Sequence, residues 1–251
     1  MNTQAFRFID DKSDKFWAVE TLGSDLVVRY GKTGTIGKFQ IKEFGGADEA
    51  AKEAAKLVAS KTRKGYRPYP EFDPQHQYYL DDQEVGLHRL TSHPAFRAHF
   101  SDDFYYNCCD EDAPFGSDEG SDTLDILEEA LRANPKLDFA SFPEHLVSGD
   151  WDMSYLPATD TEPDPEAVRQ LLETDDMHLT QSDMVTYATA FAQIKITGRI
   201  DPDLGQHGLN SLARFAVADQ LRGIAPSEVQ QQMYAALQSF CAKAARSSTT
   251  T

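Results

Sequence analysis

Two strand-like segments flank a glycine-rich connection early in the chain, and this arrangement constrains the fold more than any other feature. Lys38, Phe39, Gln40, Ile41 and Lys42 alternate polar and apolar, so one face of that strand packs and the other is wet. Residues 25–30, with Leu26, Val27, Val28 and Tyr30, are rich in strand formers. Between the two runs lie Gly31, Gly34 and Gly37, which supply the positive-φ or close-approach positions that a tight connection needs. Residues 16–20 predict another strand, closed by Gly23, and residues 6–9 a weak edge strand. A helix follows. Ala47, Ala50, Ala51, Ala54, Leu57 and Val58 recur at helical spacing, with Asp48 and Glu49 in the first turn and Lys61, Arg63 and Lys64 in the last. Its small alanines let it sit close on a sheet, and Gly65 is the expected stop.

Charge draws a border after this segment. Residues 1–70 hold thirteen Lys/Arg against nine Asp/Glu, a net of +4, whereas residues 71–251 hold eleven against thirty-two, a net of -21. Polyanions are attracted to the first part and repelled by the second. Pro68, Pro70 and Pro74 stand among aromatic residues and predict an extended connection, a linker over 71–80 that lies against a surface. Beyond it an acidic, mainly helical domain is expected over 81–246, then a disordered tail over 247–251.

Helix signals recur through the second part. His93-Pro94 reads as a helix start, with His93 a cap or surface residue. Ser121 or Asp122 is expected to cap a helix beginning near Thr123, with Leu124, Leu127 and Leu131 on one face. Asp164-Pro165 opens the next, with a short stripe of Val168, Leu171 and Leu172. A clearer stripe of Met184, Ala188, Phe191 and Ile194 is closed by Gly198. Leu209, Leu212, Phe215, Ala216 and Leu221 are closed by Gly223, and Ser227 opens the last helix. These stripes read as core.

The Tyr30-Gly31-Lys32-Thr33-Gly34-Thr35-Ile36-Gly37 run resembles the core of the WGR domain, whose pattern is Trp-Gly-Arg followed by a small-residue turn with further glycines. The resemblance covers about 65 residues. It implies a twisted antiparallel sheet with a helix across it, and a module that in poly(ADP-ribose) polymerases contacts DNA ends. Tyr30 stands where that pattern has tryptophan and Lys32 where it has arginine. Tyrosine stacks over less area, and lysine meets a phosphate as a point charge rather than a bidentate fork. Residues 104–122, above all Asp112-Ala113-Pro114-Phe115-Gly116-Ser117-Asp118-Glu119-Gly120, resemble the second half of a bacterial family of WGR-domain proteins, the YfeS type. That resemblance spans nearly the whole chain and implies a bacterial, cytoplasmic setting, but no activity. The expected fold class is therefore α+β: a small WGR-like sheet with one helix over 1–70, followed by the helical domain.

Candidate nucleic-acid or ligand contacts are Tyr30, Lys32, Lys38, Lys61, Arg63 and Lys64. The competing reading of the motif is structural, with Tyr30 packing the sheet, Gly31 permitting the bend and Lys32 solvated. Residues 98–131 hold eleven Asp/Glu and no Lys/Arg, and Asp110, Asp112, Asp118, Glu119 and Asp122 are hard-oxygen ligands in number. Their spacing is not that of an EF-hand, because Phe115 and Ser121 occupy the sixth and twelfth positions from Asp110, where glycine and glutamate are required. Cys108, Cys109 and Cys241 make an odd, low count that fits a reducing cytosol, and no spacing indicates a structural zinc site. No run of about 18–20 apolar residues crosses a membrane, and residues 1–7 carry no secretory signal pattern.

No catalytic constellation and no cofactor motif emerges. The leading expectation is a non-enzymatic interaction protein whose acidic helical domain docks a basic protein partner. The alternative is nucleic-acid binding through the first domain, and a third reading is a metal-dependent enzyme built on the acidic loop 110–122.

Overall fold

A computed structural model describes residues 3–248. The chain divides into two compact units, Met1–Arg97 and Ala98–Thr251.

The first unit is a five-stranded antiparallel sheet carrying one helix. Its strands are β1 (Gln4–Ile9), β2 (Asp14–Leu22), β3 (Asp25–Lys32), β4 (Lys38–Glu43) and the two-residue β5 (Arg67–Pro68), in the order β4-β3-β2-β1-β5. Helix α1 (Ala47–Arg63) follows β4. Strand alternation sends Trp17, Val19, Leu26 and Val28 to one face, where they pack with Phe6, Ala54 and the half-buried Leu57 and Val58 of α1. Gly65, at a φ of 91°, ends the helical turn and leads into β5.

The other face of the sheet is covered by residues 69–97, and here the expected organisation needs correcting. The 71–80 segment was expected to be a linker, and residues 81–97 to belong to the helical domain. Instead Phe72 stacks on Phe16, Tyr79 packs on Phe39, and Asp82 accepts a hydrogen bond from the Ile41 N–H of edge strand β4 at 2.7 Å. Arg97, in helix α2 (Pro94–His99), donates to buried Glu20 of β2 at 2.8 Å. The physical reason is that Phe16, Ala18, Val27 and Phe39 make a second apolar face that needs cover, and a charge border carries no information about that need. Arg29 sits at the centre of this face, ringed by Phe16, Phe39, Phe72 and Tyr79, and donates from Nε to the Ile36 carbonyl. His93 is a cap, as expected, accepting from the Ala95 N–H, but it is buried.

The second unit is mainly helical: α3 (Asp118–Ala133), the short α4 (Phe142–Glu144) continuing as a π-turn over His145–Asp150, α5 (Pro165–Thr197), α6 (Pro202–Arg222) and α7 (Glu228–Ser248). Helix α3 begins a turn earlier than expected, capped by Ser117, whose Oγ accepts from Gly120 N–H. Gly120 belongs inside the helix because a Cβ there would stand 2.6 Å from the Pro114 carbonyl oxygen. The two expected stripes at 168–172 and 184–194 are halves of one 33-residue helix, α5, joined at Asp175, whose φ of -143° and ψ of 36° break the helical run. Asp164 and Asp201 cap α5 and α6, and Gly198 and Gly223 end them at positive φ.

Helix α5 is the axis of the unit, packed against α3 and α6. Phe100, Tyr105 and Phe191 form an aromatic core. Two buried contacts of basic with acidic side chains tie helices together: Lys195 with Glu128 at 3.0 Å, and Arg214 with the Asp183 carboxyl at 2.8 Å. The helix α7 runs through residues 247–248, which were expected to be disordered; the rest of that tail lies outside the described residues. No helix among the described residues is long and apolar enough to cross a membrane.

Candidate nucleic-acid interface

A groove of about 550 Å³ opens at one end of the sheet of the first unit. It is built by the β1–β2 hairpin, the end of β3 and the last turn of α1. Lys12, Lys15, Lys32 and Lys61 line it together with Tyr30 and Tyr66.

Register creates this arrangement. Val19 pairs with Val28, Trp17 with Tyr30 and Lys15 with Lys32. Alternation puts all six side chains on the α1 side of the sheet, so the ladder grades from buried aliphatic through aromatic to cationic as it leaves the core. Two like charges directly opposite each other destabilise a strand pair. Gly31 and Gly37 close the turn that ends β3. A Cβ on Gly31 would stand 2.8 Å from the Gly37 Cα, and one on Gly37 would meet Phe16 at 2.7 Å and the Tyr30 carbonyl at 2.8 Å.

The groove's single carboxylate is already used. Arg7 donates to Asp14 through Nε and Nη2, at 2.8 and 2.7 Å, and Thr33 adds a hydroxyl at 2.6 Å. The Arg7 and Thr33 hydrogen bonds hold the Asp14 carboxyl at about 2, below the usual 3.8. Among the described residues, no carboxylate lies within ion-pair distance of Lys12, Lys15, Lys32 or Lys61. Lys61 instead rests over aromatic faces, its Nζ 5.3 Å from the Trp17 centroid and 5.1 Å from that of Tyr66. Burial, and then the neighbouring Lys64 charge, lower its pKa. Tyr30 is 41% exposed. Four lysines with no ion-pair partner among the described residues, lining one groove with an accessible aromatic ring, suit a ligand with phosphates and a flat base or sugar.

Of the candidate contacts, Tyr30, Lys32 and Lys61 meet in this groove. Lys38, the β4 register partner of Tyr30, and the exposed Arg63 and Lys64 do not line it. Lys12, Lys15 and Tyr66 were missed. Strand register, through its opposition to Lys32, identifies Lys15; Lys12 and Tyr66 are brought to the groove by the β1–β2 hairpin and by the chain that follows α1. The first unit holds fifteen Lys/Arg against fourteen Asp/Glu, so its positive field is local to such a patch rather than spread over the domain.

The acidic loop assembles differently from its candidate role. Asp112 accepts from Ser227 Oγ and Gln230 Nε2, fastening the start of α7. Glu119 accepts from Gln181 Nε2 at 2.6 Å, and Asp110 Oδ1 from the Asp112 N–H. Asp118 and Asp122 are exposed on α3. Among the described residues no three His, Cys, Asp or Glu side chains converge as a metal-holding group. Asp110, Asp112 and Glu119 hold the loop and neighbouring helices through these hydrogen bonds.

The sheet, its helix and the glycine turn define the class: residues 2–73 match the WGR domain, a nucleic-acid-binding type of domain. Over most of its length, 216 residues, the chain is 50% identical to the uncharacterised protein YfeS of Escherichia coli K12, covering 86% of this chain and 88% of the relative, and it belongs to that family. A second E. coli K12 protein, YehF, is 51% identical over 61 residues, 24% of this chain and 22% of its own length. A Bacteroides fragilis protein of known crystal structure is 32% identical over 42% of this chain and 31% of its own, with a TM-score of 0.28.

Proposed function

We propose that this protein is a non-enzymatic binder that holds nucleic acid in the lysine groove of its WGR domain. The observation that carries this reading is the meeting of Lys12, Lys15, Lys32 and Lys61 in one groove with Tyr30, with Asp14, the carboxylate of that lining, paired with Arg7. The ammonium groups contact phosphates and Tyr30 stacks on an exposed base or sugar, a sequence-tolerant mode of recognition. The net charge of the chain, -17, repels the same ligand, so affinity is modest and steeply dependent on salt.

Fluorescence anisotropy tests this. The full chain is titrated into a labelled blunt duplex and a labelled single strand at low salt. Binding that weakens on Lys15→Ala and Lys32→Ala supports the reading; no binding to either ligand at low salt ends it.

A second reading rests on charge. Residues 98–251 hold nine Lys/Arg against twenty-seven Asp/Glu, which suits docking of a basic protein partner. A pull-down with the full chain at low and high salt checks it, and the absence of any partner enriched at low salt counts against it. The low cysteine count fits a cytoplasmic setting for either reading.

A further inference from the structure

Cys108 and Cys109 are adjacent, both exposed, and lie on a turn whose Cys109 N–H donates to Asn107 Oδ1. Their sulfurs stand 3.9 Å apart. Neither serves the core or the groove of the first unit.

Two outcomes are open to such a pair, and geometry separates them. A disulfide wants α-carbons about 4.4–6.8 Å apart, whereas neighbours across a trans peptide are held at about 3.8 Å. The bridge between adjacent cysteines is therefore strained and easily reduced, and the pair persists as a dithiol in a reducing compartment. Bonds from sulfur to a thiophilic ion are longer. Two bonds of about 2.3 Å spanning the observed 3.9 Å subtend about 116° at the ion, close to the tetrahedral angle. The turn holds the two sulfurs at the bite that a d10 divalent cation requires.

We infer that Cys108 and Cys109 form a surface dithiolate clamp for a thiophilic divalent cation of the zinc or cadmium class. Soft thiolate donors select such ions over magnesium or calcium. Each thiol releases its proton to solvent as its sulfur–metal bond forms, with no change of oxidation state, so no oxidant or reductant enters. Asp102, Asp103 and Glu111 are exposed on the flanking chain and give the turn a local negative field that draws cations. Among the described residues no third His, Cys, Asp or Glu converges on the pair, so water or an external donor fills the remaining positions. The clamp is thus open, suited to capture and hand-over rather than to the closed four-ligand role of a structural zinc site.

Cadmium alone is the probe, and the readout is the ultraviolet thiolate-to-cadmium charge-transfer band of the reduced full chain. The expected result is saturation at one cadmium per chain with the intensity of two thiolates. Cys108→Ser and Cys109→Ser each halve the band and weaken binding tenfold or more, while Cys241→Ser leaves both unchanged. Circular dichroism checks that each variant is folded, and all the substituted positions except Cys241 are exposed. The inference is overturned if no band appears, if the Cys108→Ser/Cys109→Ser double variant keeps it, or if either single variant binds as the parent does.

Discussion

Lys15 and Lys32 are register partners on adjacent strands and point to the same side of the sheet. A fold selected for stability alone gains nothing from opposing two ammonium groups; a directly opposed like-charge pair is unfavourable. The pair lies beside Tyr30 and Lys61 in the same groove. Its charge becomes favourable once an anion is bound.

Stability and binding are therefore expected to move in opposite directions at this pair. Lys32→Thr restores a good strand former and removes the repulsion, raising stability by about 0.5 kcal/mol in urea denaturation. The same change weakens duplex binding and reduces the slope of log affinity against log salt by about 1, from about -3.6 for four phosphate contacts. A Lys32→Thr chain that binds like the parent would remove Lys32 from the interface.

The glycine turn makes a second comparison possible. Gly34 and Gly37 both have positive φ, 85° and 78°, so alanine at either costs about 1–3 kcal/mol of backbone strain. Around Gly34 nothing lies within 4 Å of a built Cβ, whereas at Gly37 the Tyr30 carbonyl and the Phe16 ring are in the way. Gly37→Ala is expected to lower the thermal midpoint more than Gly34→Ala and to weaken anion binding as well, because the displaced backbone is that of Tyr30.

Burial pushes the Asp183 carboxyl up from 3.8 to about 7, against the lowering pull of Arg214. The folded value lies above the unfolded one, so the native state holds the extra proton between these limits. Its stabilising contribution is full below pH 4 and is lost as pH rises through about 7, with a slope of at most about 1.4 kcal/mol per pH unit from this group. Urea denaturation followed by helical circular dichroism from pH 4 to 8 reads this slope, and Asp183→Asn flattens it.

Glu128 receives Lys195 at 3.0 Å and Arg132 at 2.9 Å, but the two partners differ in exposure. Lys195 is fully buried, while the Arg132 side chain is 32% exposed. Glu128→Gln removes the carboxylate charge that the buried Lys195 ammonium meets at 3.0 Å and is expected to cost about 3 kcal/mol. Arg132→Ala removes a solvent-screened pair and costs less than about 1 kcal/mol. Equal losses in a denaturant titration would refute the distinction.

Local patterns made much of the fold legible. Asp164-Pro165 and Gly198 mark the ends of α5, and Gly65 ends the turn after α1, because caps and stops act through their immediate neighbours. The helix start at Ser117 was hidden by Gly120, which looks like a loop residue until the Pro114 carbonyl is brought against it. The break at Asp175 carries no proline or glycine, and the two separate stripes on either side of it do not reveal that one helix joins them. Half of the named groove contacts could be chosen from the motif and the last turn of the helix. Lys12 and Lys15 could not, because nothing near them in sequence resembles a motif.

By itself the sequence determined the order of elements, the α+β class and the WGR turn at residues 30–37, since periodicity, caps and glycine positions are local and act over one or two turns of chain. Tertiary structure decided that residues 69–97 cover the sheet's second face, that the acidic loop holds α7 through Asp112, and that four lysines meet in one groove with Tyr30. Those outcomes depend on strand register and on which apolar face lacks cover. A shift of one residue in β2 would send Lys15 to the opposite side of the sheet and dissolve the groove while leaving every local signal in the sequence unchanged.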